Sequence, residues 1–195
     1  MMTFIPRQSM RLVHDYLRFF PCVAIVGPRQ CGKTTLVRHV TTDWHHFDLE
    51  KATDYGQISA DPDLFLRLHS EHVAIDEAQL LPALFPALRV AIDACRSEKG
   101  RFIITGSSSP DLTHAIAESL AGRVGIVELS PLSLEEICGG DAPFYELFDD
   151  LESGIDQLQG LTSRMALGDI HDYWFHGGYP EPWKIGDERF REAWM

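Results

Sequence analysis

The sequence predicts an α/β fold in which a parallel sheet of five short strands is covered on both faces by helices. Short, mostly apolar runs recur along the first 131 residues, and segments with helical spacing separate them. After Pro131 this alternation stops, and only helical signals follow.

Taken in order, "RQSMRLVHDYLRF" has helical spacing, "CVAIV" reads as the first strand and "KTTLVRHV" as a helix. "WHHFDL" is the second strand, "PDLFLRLH" a helix and "HVAID" the third strand. "PALFPALRVAIDACRSE" is a helix, "RFIITG" the fourth strand, "DLTHAIAESLAG" a helix and "RVGIVEL" the fifth strand. Residues 1–131 therefore form one α/β domain. In residues 132–195, "SLEEIC", "FYELFDDLESG", "GLTSRMALGDIHDYWFHGG" and "DERFREAWM" predict a smaller helical region. The last of these stops inside a helical pattern without a cap, as a segment of a longer chain would.

Length and composition suit an ordinary globular protein: 195 residues, 45% hydrophobic and 24% charged. No apolar run approaches membrane-spanning length, and the N-terminus lacks an export pattern, so the expected location is cytoplasmic. The four cysteines show no C-x-x-C pairing or zinc spacing, which fits reduced thiols. The net charge of -12 is unevenly spread, and no Lys or Arg occurs from Val124 to Ser163. Such a surface repels a phosphate backbone, so this segment is not expected to bind nucleic acid directly.

"GPRQCGKTTL", directly after the first strand and opening the next helix, matches G-x-x-x-x-G-K-[ST] in full. The chemistry expected of it is phosphate binding. Gly27, Pro28, Arg29, Gln30, Cys31, Gly32, Lys33, Thr34 and Thr35 make the loop and the helix start, where backbone N–H groups form an anion nest. Lys33 is expected to reach the β- and γ-phosphates of a nucleotide, and Thr34 to bind Mg²⁺ through its hydroxyl. Cys31 lies inside the nest, where N–H dipoles favour a thiolate. The third strand ends in Asp76-Glu77, at the end of the sheet where ligands collect. Asp76 is placed to hold Mg²⁺, mostly through water, and Glu77 to orient and deprotonate an attacking water. Ser107 ends the fourth strand, where it can help to place that water or simply begin the turn that caps the next helix. Arg123 lies between a helix and the fifth strand, where a lone arginine can be a local salt-bridge residue. No Asn-Lys-x-Asp element for guanine is present, so ATP is favoured over GTP.

These segments, with "AIDEAQLLPALFPALRVAID", "RFIITGSSSPDL", "ESLAGRVGIVELSPLSLEEI" and "FHGGYPEP", resemble the prokaryotic AAA-type predicted ATPases, in which an ATPase domain precedes a domain of unknown function. The resemblance implies an AAA+ P-loop NTPase of the additional-strand, catalytic-glutamate type, with strand order 5-1-4-3-2. It also implies that Arg123 is an arginine finger acting on a neighbouring subunit's nucleotide, and hence a homo-oligomer, with an unknown protein client. A second sensing arginine from a helical lid has no clear match, Arg164 being the nearest candidate. The expected function is an Mg²⁺-dependent ATPase that couples hydrolysis to conformational change. The alternative is an ATP-gated regulatory module with little turnover.

Overall fold

Cys22–Gly27 (β1) is buried at every position, with neither face left for water. That burial follows from its place inside a sheet with helices on both sides. The computed structural model describes residues 4–139 and 165–194, and the described residues divide into two compact units, Gln8–Ser130 and those of 1–7 with 131–195.

The larger unit begins with α1 (Ser9–Phe19) and β1, then α2 (Lys33–Val40), β2 (His45–Asp48), α3 (Ala52–Ala60), α4 (Pro62–Leu68) and β3 (Val73–Asp76). A 3₁₀ turn (Ala78–Leu80), α5 (Leu84–Ala94), β4 (Phe102–Ser107), α6 (Pro110–Leu120) and β5 (Val124–Glu128) complete it. All the strands are parallel, in the order β2-β3-β4-β1-β5, which is the expected 5-1-4-3-2 order read from the other edge.

Strand alternation divides the core in two. Ala24, Val26, Val73, Ile75, Phe102 and Ile104 face a cluster that includes Phe65, Phe85, Leu88 and Ile116 of α4, α5 and α6. Val23, Ile25, Ala74, Ile103 and Val127 face Val13 of α1 and Leu36 and Val37 of α2.

The sequence reading missed α3, whose pattern is weak: Gly56 interrupts it and Ile58 is its buried residue. The expected helix at 82–98 is shorter, Leu84–Ala94, and Pro86 falls in its first turn, where backbone N–H groups have no intrahelical acceptor.

In the smaller unit, α7 (Leu134–Ile137) starts with a capping box between Ser133 and Glu136. Arg7 donates to the same Glu136 carboxylate at 3.0 Å, and both side chains are buried. The helices α8 (Leu167–His176), α9 (Pro180–Ile185) and α10 (Glu188–Trp194) follow. The Tyr173 hydroxyl donates to the Leu132 carbonyl at 2.9 Å, and Arg191 stacks over Trp183 at 4.7 Å. α9 was not expected from the sequence. The expected helix in "FYELFDDLESG", the start of the one in "GLTSRMALGDIHDYWFHGG" and the candidate lid residue Arg164 lie outside the described residues. No helix among the described residues is long and apolar enough to cross a membrane.

Candidate functional site

Parallel pairing brings the strand ends that carry polar residues to one edge of the sheet. Gly27 pairs with Ser107, and Asp48 pairs with Asp76. The loop from Gly27 to Gly32 leaves that edge and enters α2. Its left-handed turns fall at Gln30 (φ 61°) and Gly32 (φ 101°), the second being a conformation that glycine adopts without a Cβ clash. Gly32 offers no side chain to cap α2, so the N–H groups of the first helical turn remain suited to an anion.

Pro28 and Thr35 are half-buried, whereas Arg29 and Gln30 are exposed. Cys31 is fully buried and belongs to the core cluster beneath the loop. Cys31 thus packs among the core residues, with its sulfur against the loop: a Cβ built at Gly27 would lie 3.1 Å from it.

Lys33 is buried, and its ammonium donates to the carbonyls of Gly27 at 3.0 Å and Pro28 at 2.8 Å. These loop carbonyls satisfy a cation that would otherwise be costly to bury. Thr34 donates its hydroxyl to Asp76 Oδ2 at 2.5 Å, so a side chain of α2 meets the end of β3. This pair supplies two hard oxygen donors, the kind that holds Mg²⁺ together with phosphate oxygens and water.

Asp76 Oδ1 accepts the Thr105 hydroxyl and also the Glu77 backbone N–H, the latter at 3.1 Å. Thr105 was not singled out from sequence, where Ser107 held the corresponding place. The register explains the shift: Ile75 pairs with Ile104, so the residue after Ile75 lies beside Thr105. Ser107 instead lies beside Gly27, at the root of the phosphate loop.

Glu77 adopts a left-handed backbone (φ 55°, ψ 44°), and its Oε2 accepts from Gln79 Nε2. A pocket of about 40 Å³ next to Asp76 is lined by Thr34, Arg38, Asp48, Lys51 and Thr105, among others, which is more than the roughly 10–15 Å³ that one water needs. Asp48, also overlooked in the sequence, accepts the Glu50 N–H at 3.0 Å and faces Lys51 at 3.7 Å.

Arg123 stands apart from this group. Its carbonyl accepts from Cys22 N at 3.3 Å, which places it at the start of β1, whereas the phosphate loop begins at the strand's other end. With a rise of roughly 3.3 Å per residue, the separation is about 17 Å. Its guanidinium makes two bonds of 2.7 Å to the Asp93 carboxylate. Those bonds hold the Asp93 carboxyl below its ordinary range, with Arg96 and Arg89 adding smaller effects of the same sign.

A five-stranded parallel sheet in this order, with a G-x-x-x-x-G-K-T loop after β1 and an acidic pair at the end of β3, defines a P-loop NTPase of the AAA type. The chain belongs to the AAA domain family, which it matches over residues 20–138. An uncharacterized protein of Mycobacterium bovis and one of Mycobacterium tuberculosis are each 48% identical to it over 119 residues, which is 60% of this chain. The matched region spans 26% of those relatives' length.

Among solved structures, a Walker-type ATPase of Pyrococcus abyssi aligns with 93% of this chain and 66% of its own, at TM-score 0.58 and 16% identity. AMPPCP-bound DnaA from Aquifex aeolicus aligns with 97% of this chain and 62% of its own, at TM-score 0.52 and 13% identity. At such identities the likeness is one of fold. Family and fold together support a nucleotide-binding, ATPase-like function.

Proposed function

We propose that this protein is an Mg²⁺-dependent ATPase that couples ATP hydrolysis to a conformational change. The observation that carries the reading is the bond from Thr34 to Asp76, which joins the phosphate loop to the acidic strand end with Glu77 as the next residue. Lys33 exchanges the Gly27 and Pro28 carbonyls for β- and γ-phosphate oxygens when nucleotide binds. Thr34 and Asp76 are the residues that would hold Mg²⁺, Asp76 mostly through water. An ion held there would neutralise charge on the phosphates. Glu77 accepts a proton from the attacking water, whose oxygen bonds to the γ-phosphorus as the bond to the ADP oxygen breaks. ADP and inorganic phosphate are the products.

In this reading residues 1–131 form the ATPase core, and residues 132–195 are the helical region whose rearrangement hydrolysis drives. Ser107 assists at the phosphate side, beside Gly27, and Arg123 acts as a finger on the nucleotide of a second copy of the chain. The position of Arg123 at the far end of β1 supports action between subunits, since it is too distant to serve its own loop.

Phosphate release measured with Mg·ATP tests the proposal and separates it from an ATP-gated module with little turnover. Glu77→Gln is expected to retain nucleotide and lower turnover by about 10²–10⁴-fold. Lys33→Ala is expected to lose tight Mg·ATP binding by calorimetry. Unchanged turnover in Glu77→Gln would mean that another group activates water.

A further inference from the structure

Gln79 lies in the 3₁₀ turn after β3, and its amide is split between two surroundings. The Nε2 end donates to Glu77 Oε2. The Oε1 end is buried and has no hydrogen-bond partner among the described residues. A carboxylate accepts only, so Glu77 dictates which end of the amide faces it.

The orphan oxygen sits where β4 has Gly106. A Cβ at that position would lie 2.3 Å from Gln79 Oε1 and 2.6 Å from Leu112 Cδ2, so the amide occupies space that only glycine leaves open.

A glutamine that served only to fill this space would be inferior to methionine, which has similar length and no oxygen to strand. What glutamine adds is the N–H donor on Glu77. The Glu77 backbone is itself held in a left-handed conformation by its N–H bond to Asp76 at 3.1 Å and by its carbonyl, which accepts from Leu80 N at 3.0 Å. Backbone and carboxylate are thus held by separate partners. Strained conformations fixed in this way collect at functional sites.

We propose that Gln79, seated in the space left by Gly106, is a positioning residue that fixes the orientation of the Glu77 carboxylate. This rests on the reading of Glu77 as the group that activates water. In this role Gln79 acts through Glu77 alone. It acts by holding one carboxylate oxygen, leaving the other for the proton.

The test measures steady-state ATP hydrolysis, ATP affinity and thermal melting of the whole chain as wild type, Gln79→Met, Gly106→Ala and the double variant. Gln79→Met is expected to melt no lower than wild type and to keep the KM for ATP, while kcat falls about tenfold to a hundredfold, the range that misplacing a reacting group costs. Gly106→Ala is expected to reach a similar kcat by pushing the amide away, and the double variant to lose no more than the worse single variant.

A Gln79→Met kcat within about twofold of wild type, or a loss that only tracks a lower melting temperature, overturns the proposal. If Gly106→Ala does not fold, Gln79→Met decides alone. A wild type without turnover overturns the hydrolysis reading instead. Crystal structures of wild type and Gln79→Met then decide the positioning, which a reoriented Glu77 carboxylate supports and an unmoved one overturns.

Discussion

Thr105 shows how a single strand residue conditions this site. Its hydroxyl is buried and spends its donor on Asp76 Oδ1, so one lone pair of the carboxylate is taken before any metal arrives. Thr105→Val keeps the shape and removes the donor. A hydrogen bond to a charged group contributes about 1.5–3 kcal/mol, so Mg·ATP affinity, measured by calorimetry, is expected to fall by about tenfold to a hundredfold. Unchanged affinity would mean that the Asp76 carboxylate needs no fixing from β4. The phosphate loop and the Asp76-Glu77 pair were legible because each is contiguous in sequence and its chemistry is local. Thr105 was not, because its role depends on the register between β3 and β4.

Among the elements, β4 is anchored at its start by a buried cation. Arg101 donates to the Ser70 carbonyl at 2.8 Å and to the Ala91 carbonyl at 2.9 Å, tying the α4–β3 connection and α5 to the sheet. It also faces Glu98 at 3.5 Å and stacks over Phe102 at 4.9 Å. Arg101→Met leaves both carbonyls without their donor. Unfolding in urea is expected to show a loss of about 3 kcal/mol, with ATP affinity little changed because Arg101 lies at the strand end away from the loop. A variant as stable as wild type would show that water replaces the guanidinium. Strands and most helices were legible from apolar runs and helical spacing. α3 was not, because contacts with its neighbours, not its own pattern, sustain it.

For the whole molecule, the open question is whether one copy suffices. Arg123 and the phosphate loop lie at opposite ends of β1, so the proposed finger has work to do only when a second copy is present. Asp93 holds the guanidinium in the single chain, and the finger must exchange that carboxylate for phosphate oxygens on assembly. Fingers supplied from a neighbour accelerate hydrolysis by about 10³–10⁵-fold. Specific activity is therefore expected to rise with protein concentration, and Arg123→Ala to abolish the rise while leaving ATP binding intact. Arg123→Ala mixed with Lys33→Ala is expected to recover turnover, since one variant retains the loop and the other the finger. A concentration-independent rate with no recovery, in protein shown to self-associate, would leave Arg123 as a salt-bridge partner of Asp93.

The sequence by itself determined the phosphate loop, the acidic pair and the five-stranded class of sheet, because contiguous motifs and strand-length apolar runs act through near neighbours. Tertiary structure decided the rest of the site. It seated Thr105 on Asp76, 29 residues away in the chain, placed Cys31 among the core residues and fitted Gln79 against Gly106. Those pairings depend on which strands lie side by side and in what register, and the parallel crossovers that set this join residues too far apart in the chain for any local pattern to record.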